Sequence, residues 1–245
     1  MSRTNWFDQD GGVYARFRPD YPEGVTTFLA DVAPDTRVAV DVGCGNGQLS
    51  VQLASRFESV IASDPSVEQI AHAVRHERVR YAVGAAEAID VGPSSVSLVT
   101  AAQAAHWFDR PRFYDEVRHV LVPRGVVALI TYGVPQLEDA LVPRFDVFYR
   151  DEVGPYWPPE RKLVDSGYAE IAFPFEAITP PALAIERDWD VHAFLGYVSS
   201  WSATRRAREA NAHAMLTRFA DELVPLWGAA TRRVVWPIRM RVGRV

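Results

Sequence analysis

Hydrophobic residues follow two alternating periods along the first half of the chain. Val38 to Val42, Ser59 to Ser63, Val79 to Val83, Val96 to Ala101 and Val126 to Thr131 are short runs rich in β-branched or small apolar residues and bounded by turn residues, the pattern of buried strands. Between them the apolar positions recur at helical spacing: Leu49, Leu53 and Phe57, then Val67, Ile70, Ala71 and Val74, then a helix around Phe113 to Leu121 that Pro123-Arg124-Gly125 ends. A helix also precedes the first strand. Asp20 stands as its N-cap, Pro22 lies in the first turn and Glu23 follows three residues after the cap, while Tyr21, Val25, Phe28, Leu29 and Val32 form one stripe. This order predicts an α/β fold, a doubly wound and mostly parallel sheet with helices on both faces, whose ligands bind at the carboxyl ends of the strands.

Beyond Tyr132 the rhythm changes. The spacing predicts a helix from Leu137 to about Glu152, a turn at Tyr156-Trp157-Pro158-Pro159 and a sixth strand over Ala169 to Phe175. A largely helical stretch follows, with Val191, Phe194, Leu195 and Val198 on one face and Met215, Leu216, Phe219, Leu223, Leu226 and Trp227 on another. Val234 to Ile238 reads as the last of seven strands, with Pro237 expected at an edge or bulge. The expectation is a single domain over 1–245. Its core is about 37–132 plus 169–178 and 232–241, and the segments about 1–30 and 137–228 form a helical cap.

At 245 residues and 48% hydrophobic composition the chain can bury a substantial core. The first ten residues are polar and acidic, and no apolar run approaches the roughly eighteen residues that span a bilayer, so the expected location is cytoplasmic, with no membrane partner. Cys44 is the only cysteine, which excludes an internal disulfide and a cysteine-based zinc cage. His72 and His76 are four apart, but Ala73 stands where a zinc hydrolase needs Glu, and no metal site is expected. A net charge of −5 argues against nucleic acid as partner. Of the 26 basic residues only Lys162 is a lysine, and nine arginines lie from Arg205 to the end against Glu209, Asp221 and Glu222. That balance reads first as solvated surface.

The candidate chemistry starts at Gly43-Cys44-Gly45-Asn46-Gly47, which follows a strand and opens a helix, where a backbone without side chains lets a nucleotide-like ligand approach. Asp64 ends the next strand, where an acid can accept both hydroxyls of a ribose. A dinucleotide fingerprint needs a third glycine where Gln48 stands, and Asp41 puts a negative charge near the turn. Both disfavour a pyrophosphate. S-adenosylmethionine carries a sulfonium and an amine and no phosphate, so Coulomb attraction favours it beside Asp41.

Val40-Asp41-Val42-Gly43-Cys44-Gly45-Asn46-Gly47 resembles motif I of the class I S-adenosylmethionine-dependent methyltransferases, and Asp64 matches their ribose-binding acid. With Tyr14-Ala15-Arg16-Phe17-Arg18-Pro19-Asp20-Tyr21-Pro22, Ala102-Gln103-Ala104-Ala105-His106-Trp107-Phe108 and Ser200-Trp201-Ser202, the chain resembles the type 11 group that includes the trans-aconitate methyltransferases. The resemblance implies a Rossmann-like methyltransferase fold, S-adenosylmethionine as cofactor and S-adenosylhomocysteine as product. It implies a cofactor site of Asp41, Gly43, Gly45, Gly47, Asp64 and Gln103. Many relatives carry an acid after the third strand for the adenine amino group; here Gly84-Ala85-Ala86-Glu87 stands there, so Ala85, Ala86 or Glu87 must substitute.

His106 follows the fourth strand and is the candidate general base for removing a proton from the methyl acceptor, in a reaction whose main demand is orientation. Tyr14 and Arg18 read as part of a closing segment that binds the methionine carboxylate or an acidic substrate. Tyr21, Trp107, Tyr197 and Trp201 are the candidate acceptor-binding residues, the partner being a small molecule. Two other functions fit the same residues: a nicotinamide-dependent oxidoreductase, which Asp41 and Gln48 disfavour, and a protein that binds S-adenosylmethionine without turning it over.

Overall fold

The computed structural model describes residues 18–245. In chain order its first elements are α1 (Glu23–Val32), β1 (Val38–Val42), α2 (Gln48–Leu53), β2 (Ser59–Asp64), α3 (Val67–Ala71), β3 (Val79–Val83), β4 (Val96–Ala102), α4 (Arg110–Val120) and β5 (Leu121–Tyr132). There follow α5 (Val142–Val147), α6 (Arg161–Asp165), β6 (Glu176–Ile178), β7 (Leu183–Trp189), α7 (Val191–Ser199), α8 (Ser202–Glu209), α9 (His213–Trp227) and β8 (Arg232–Arg244). Contacts divide the chain into two compact units. The first holds Asp20–Gly133, Lys162–Ala184 and Pro237–Val245; the second includes Val134–Arg161 and Ile185–Trp236.

The eight-stranded sheet has the order β3-β2-β1-β4-β5-β8-β6, with β7 also paired to β8. Neighbours from β3 through β5 are parallel, and β8 runs antiparallel to both β5 and β6. Strand order reverses between β1 and β4, which places the crevice of such a sheet beyond their carboxyl ends. Buried β-branched and small residues explain the central strands: Val40, Val42, Val96, Val99, Ala101, Val127 and Leu129 share one core with Phe113, Tyr114, Val117 and Val120 of α4. Asp109 caps α4 by accepting the Arg112 N–H, and Arg118 and His119 in its last turn complement the helix dipole.

Several expected boundaries move. α1 begins at Glu23 with Pro22 as N-cap, and the Asp20 carboxylate instead accepts a hydrogen bond from Gln48 Nε2 at 3.2 Å. Pro123-Arg124-Gly125 lies inside β5 as a bulge: Arg124 has a φ of 65° and the β4–β5 register slips between Val96 and Leu98. The sixth strand is Glu176–Ile178, not Ala169 to Phe175, because the chain turns through left-handed Gly167 and Tyr168 just before. β7 falls in a stretch expected to be helical. The helix expected from Leu137 starts only at Val142 and continues as a π-turn over Phe148–Glu152, since Gln136 bridges to Val235. Pro237 sits outside the β5 ladder, which runs from Ile238 to Arg244, so its missing N–H costs no ladder bond there.

The second unit is built on aromatic packing. Phe148 and Phe219 stack with centroids 3.6 Å apart, Phe194 lies 4.9 Å from Trp227, and Trp236 and Trp227 are fully buried. α9 buries Leu216, Phe219, Ala220, Leu223 and Trp227 on one stripe, while Leu226 is exposed.

Candidate active site

The glycine turn beyond β1 is a left-handed structure at three positions, with φ of 67° at Gly43, 55° at Gly45 and 85° at Gly47. Only glycine adopts these angles without strain. A Cβ at Gly43 would stand 2.5 Å from the Ala104 Cβ, and one at Gly47 would overlap the Tyr81 hydroxyl. At Gly45, in contrast, the nearest atom among the described residues would be Gln69 Oε1 at 3.8 Å, so none of them crowds the centre of the turn. The turn is tied to β2 by the Cys44 N–H donating to the Ser63 carbonyl at 3.0 Å.

Asp64 closes this cradle from the end of β2. Its two carboxylate oxygens accept the Gly45 N–H and the Ser66 N–H, each at 2.9 Å. Asp41 lies beneath, completely buried. Ser50 Oγ donates to its Oδ2 at 2.6 Å and Thr100 Oγ1 to its Oδ1 at 2.8 Å, Thr100 being its partner across the β1–β4 ladder. Burial pushes the Asp41 carboxyl up to about 6, opposed by the two hydroxyls and assisted by the charge of Asp64. Burial, then Asp41 and Asp64, also raise the Cys44 thiol far above its ordinary value, which leaves it a packed small residue and no nucleophile.

β4 leads into Gln103 and the short 3₁₀ turn Ala105–Trp107. Gln103 is left-handed at φ 55°, and its side chain is spent on the backbone and a neighbour: Nε2 donates to the Tyr132 carbonyl at 2.8 Å and Oε1 accepts from Thr131 at 2.9 Å. Ala104 and Phe108 face the Cα of Gly43, which sets the turn bearing His106 and Trp107 directly against the cradle. His106 is half-buried, its ring 4.9 Å from that of Trp107 and its Nδ1 2.9 Å from the Tyr168 hydroxyl. Trp107 is 56% exposed, unusual for so large an apolar side chain.

The remaining candidates separate. Glu87 Oε1 accepts the Asp109 N–H at 2.8 Å and so braces the cap of α4; Ala86 is packed in the core and Ala85 is exposed. Tyr21 is buried, edge-on to Tyr132 at 5.9 Å. Tyr197 and Trp201 lie in the packed interior of the second unit, where the Tyr197 hydroxyl accepts from Trp236 Nε1 at 3.0 Å and Trp201 packs with Phe145, Tyr149 and Trp157. Arg18 is half-buried and groups with the second unit, and Tyr14 lies outside the described residues. His72 Nδ1 is 2.9 Å from the Glu68 carbonyl and His76 Nδ1 accepts the Arg78 N–H; among the described residues no three His, Cys, Asp or Glu are grouped to hold a metal ion. Among the described residues no helix is long and apolar enough to cross a membrane.

Ser50, Thr100 and Tyr168 are the residues that sequence reasoning missed. Thr100 had a signal, a hydroxyl near the end of the otherwise apolar run Leu98 to Ala102, but Ser50 and Tyr168 carried none.

Chemically the cradle offers N–H groups, carboxylates and an open glycine surface, with no basic side chain between Val42 and Val67 except Arg56 at the far end of α2. This set suits a ribose and a cationic sulfur and is poor for a pyrophosphate. Residues 40–129 match the family described as a methyltransferase domain. A protein assigned as a methyltransferase in Dictyostelium discoideum is 36% identical over 206 residues, covering 81% of this chain and 78% of that one. An uncharacterised methyltransferase of Mycobacterium tuberculosis is 37% identical over 121 residues, 49% of each chain. A solved structure assigned as a type II methyltransferase from Anaeromyxobacter dehalogenans superposes with a TM-score of 0.86 at 44% identity, covering 93% of this chain and 98% of its own. The chain belongs to the S-adenosylmethionine-dependent methyltransferases, with the Rossmann-like fold of class I, and S-adenosylmethionine is its cofactor.

Proposed function

We propose that this enzyme transfers a methyl group to an oxygen or nitrogen atom of a small-molecule metabolite, with His106 as general base. The observation that carries the reading is the seating of Ala104 and Phe108 on Gly43, since it sets the His106 turn against the glycine surface. Gly43, Gly45 and Gly47 provide the close backbone approach, Asp64 accepts from the ribose hydroxyls, and Asp41 supplies negative charge from below. Bound S-adenosylmethionine supplies a methyl group already activated on a sulfonium. The protein therefore has three tasks: to orient the acceptor in line with that methyl, to exclude water, and to take the acceptor's proton on His106 as its nucleophilic atom is alkylated. The exposed Trp107 ring beside His106 gives the acceptor an apolar face to lie on.

The test is a methylation screen over phenols, nitrogen heterocycles and di- and tricarboxylates, followed by single-turnover rates of His106→Gln on the acceptor found. A rate lowered at least tenfold with intact cofactor binding is the expected result. An unchanged rate removes His106 as base.

A further inference from the structure

The imidazole of His106 is held by a residue far away in sequence. Its Nδ1 lies 2.9 Å from the hydroxyl of Tyr168, 62 residues on, and the rings stand 6.0 Å apart. Tyr168 is fully buried and has a φ of 63°, a left-handed conformation that bulky side chains rarely adopt. The surroundings enforce that conformation. Gly167 before it is left-handed as well, packed under the Arg239 side chain, and the Tyr168 N–H donates to the Leu163 carbonyl at 2.8 Å. Arg241 Nη1 donates to the carbonyls of Tyr168 at 3.0 Å and of Ala169 and Ile171 at 3.1 Å, with its guanidinium over the Phe173 ring. Disfavoured backbone held this firmly, at a residue that touches the candidate base, points to a role beyond packing.

A neutral imidazole has one N–H, and the partner of one nitrogen decides the state of the other. If the tyrosine hydroxyl donates to Nδ1, the proton sits on Nε2 and that atom takes up no other. If Nδ1–H donates to the tyrosine oxygen, Nε2 carries the lone pair. We propose that Tyr168 is the positioning residue of His106: its oxygen accepts the Nδ1–H, fixing the ring and leaving Nε2 as the proton acceptor. The inference rests on the reading of His106 as base. In the step it serves, the acceptor's O–H or N–H proton passes to Nε2 while a bond forms from the acceptor atom to the methyl carbon. The carbon–sulfur bond breaks, sulfur keeps its electron pair, and the imidazolium retains Nδ1–H on Tyr168 until Nε2 returns its proton to water.

A buried tyrosine that merely needs a hydrogen-bond partner would show the same distance, so the proton's position is the deciding observable. The ¹⁵N spectrum of histidine-labelled protein without added ligand reads it directly. The expected result is a pyrrole-type Nδ1 and a pyridine-type Nε2 for His106. In Tyr168→Phe the two shifts should move toward each other as the tautomers mix. Single-turnover methylation of the acceptor found by the screen should fall on the order of three- to tenfold, with unchanged affinity for S-adenosylhomocysteine. A pyridine-type Nδ1 in the native protein overturns the proposal without need of any variant. A reduced rate in His106→Gln combined with an unaltered spectrum and rate in Tyr168→Phe overturns the role of Tyr168 alone, whereas an unchanged rate in His106→Gln overturns the base reading and this role together.

Discussion

The carboxylate of Asp64 accepts the backbone N–H of Gly45 at 2.9 Å, so the acid at the end of β2 and the centre of the glycine turn form one unit. Its other oxygen accepts the Ser66 N–H, and the same group thereby shapes the turn that would also receive the ribose. Charge-assisted bonds of this kind contribute about 1.5–3 kcal/mol each. Asp64→Ala should weaken S-adenosylhomocysteine binding on the order of 10- to 100-fold by calorimetry, and Asp64→Asn should fall between, since an amide accepts one N–H and opposes the other. Equal affinity in all three proteins would separate Asp64 from the cofactor.

Asp41 makes stability and function pull in opposite directions. Its folded pKa of about 6 lies above the ordinary carboxyl value of 3.8, so between these values the folded state holds a proton that the unfolded state has released. Stability from this group is therefore highest below about pH 4, declines as pH rises to 6 and is level above it, a change on the order of 3 kcal/mol. Urea titrations should show that slope in the native protein and lose it in Asp41→Asn. The variant should be at least as stable at pH 7.5, where one of the Ser50 and Thr100 hydroxyls can rotate to accept from the new amide nitrogen while the other still donates to its oxygen. Its affinity for S-adenosylmethionine should fall more than for S-adenosylhomocysteine, because only the former has the sulfonium.

Gly47 and Gly92 should respond oppositely to alanine. Gly47→Ala forces a Cβ onto the Tyr81 hydroxyl in a left-handed backbone and should cost about 1–3 kcal/mol. Gly92 has, among the described residues, no neighbour within 4 Å for a new Cβ, and its φ is not positive. Gly92→Ala should be neutral or stabilising by up to about 1 kcal/mol. Chemical denaturation of the pair distinguishes strain at the turn from a general effect of filling glycines.

The raised thiol of Cys44 gives a direct chemical readout. Iodoacetamide at pH 8 should modify native protein far more slowly than protein unfolded in urea. Comparable rates would show that the turn does not bury this side chain.

The parallel half of the sheet is legible in the sequence because β1, β2 and β4 carry dense β-branched runs and the turn after β1 has glycines at three left-handed positions. Elements that long-range contacts decide are not. At Ala169 to Phe175 the alternation resembles a strand, but Arg241 takes the carbonyls of Ala169 and Ile171 that a ladder would need. β7 was hidden by its charges: Glu186 and Asp188 are balanced by Arg233 of β8, each at 2.6 Å, a pairing invisible until the strands are adjacent. In the candidate site Asp41 and Asp64 were legible as acids beside a glycine turn. Their division was not, because only the fold shows one carboxylate sealed under Ser50 and Thr100 and the other at the strand end on two N–H groups. Helical spacing fits Tyr197 and Trp201 to a pocket wall and to a core alike, and in the fold both are buried in the second unit.

What the glycine cradle binds is the most direct test of its assignment as an S-adenosylmethionine site. Isothermal titration of the purified protein with S-adenosylmethionine, S-adenosylhomocysteine and NAD should give saturable binding of the first two at one site per chain, lost or greatly weakened in Asp64→Ala, and no binding of NAD. Saturable NAD binding, or S-adenosylmethionine binding that Asp64→Ala leaves intact, would contradict it.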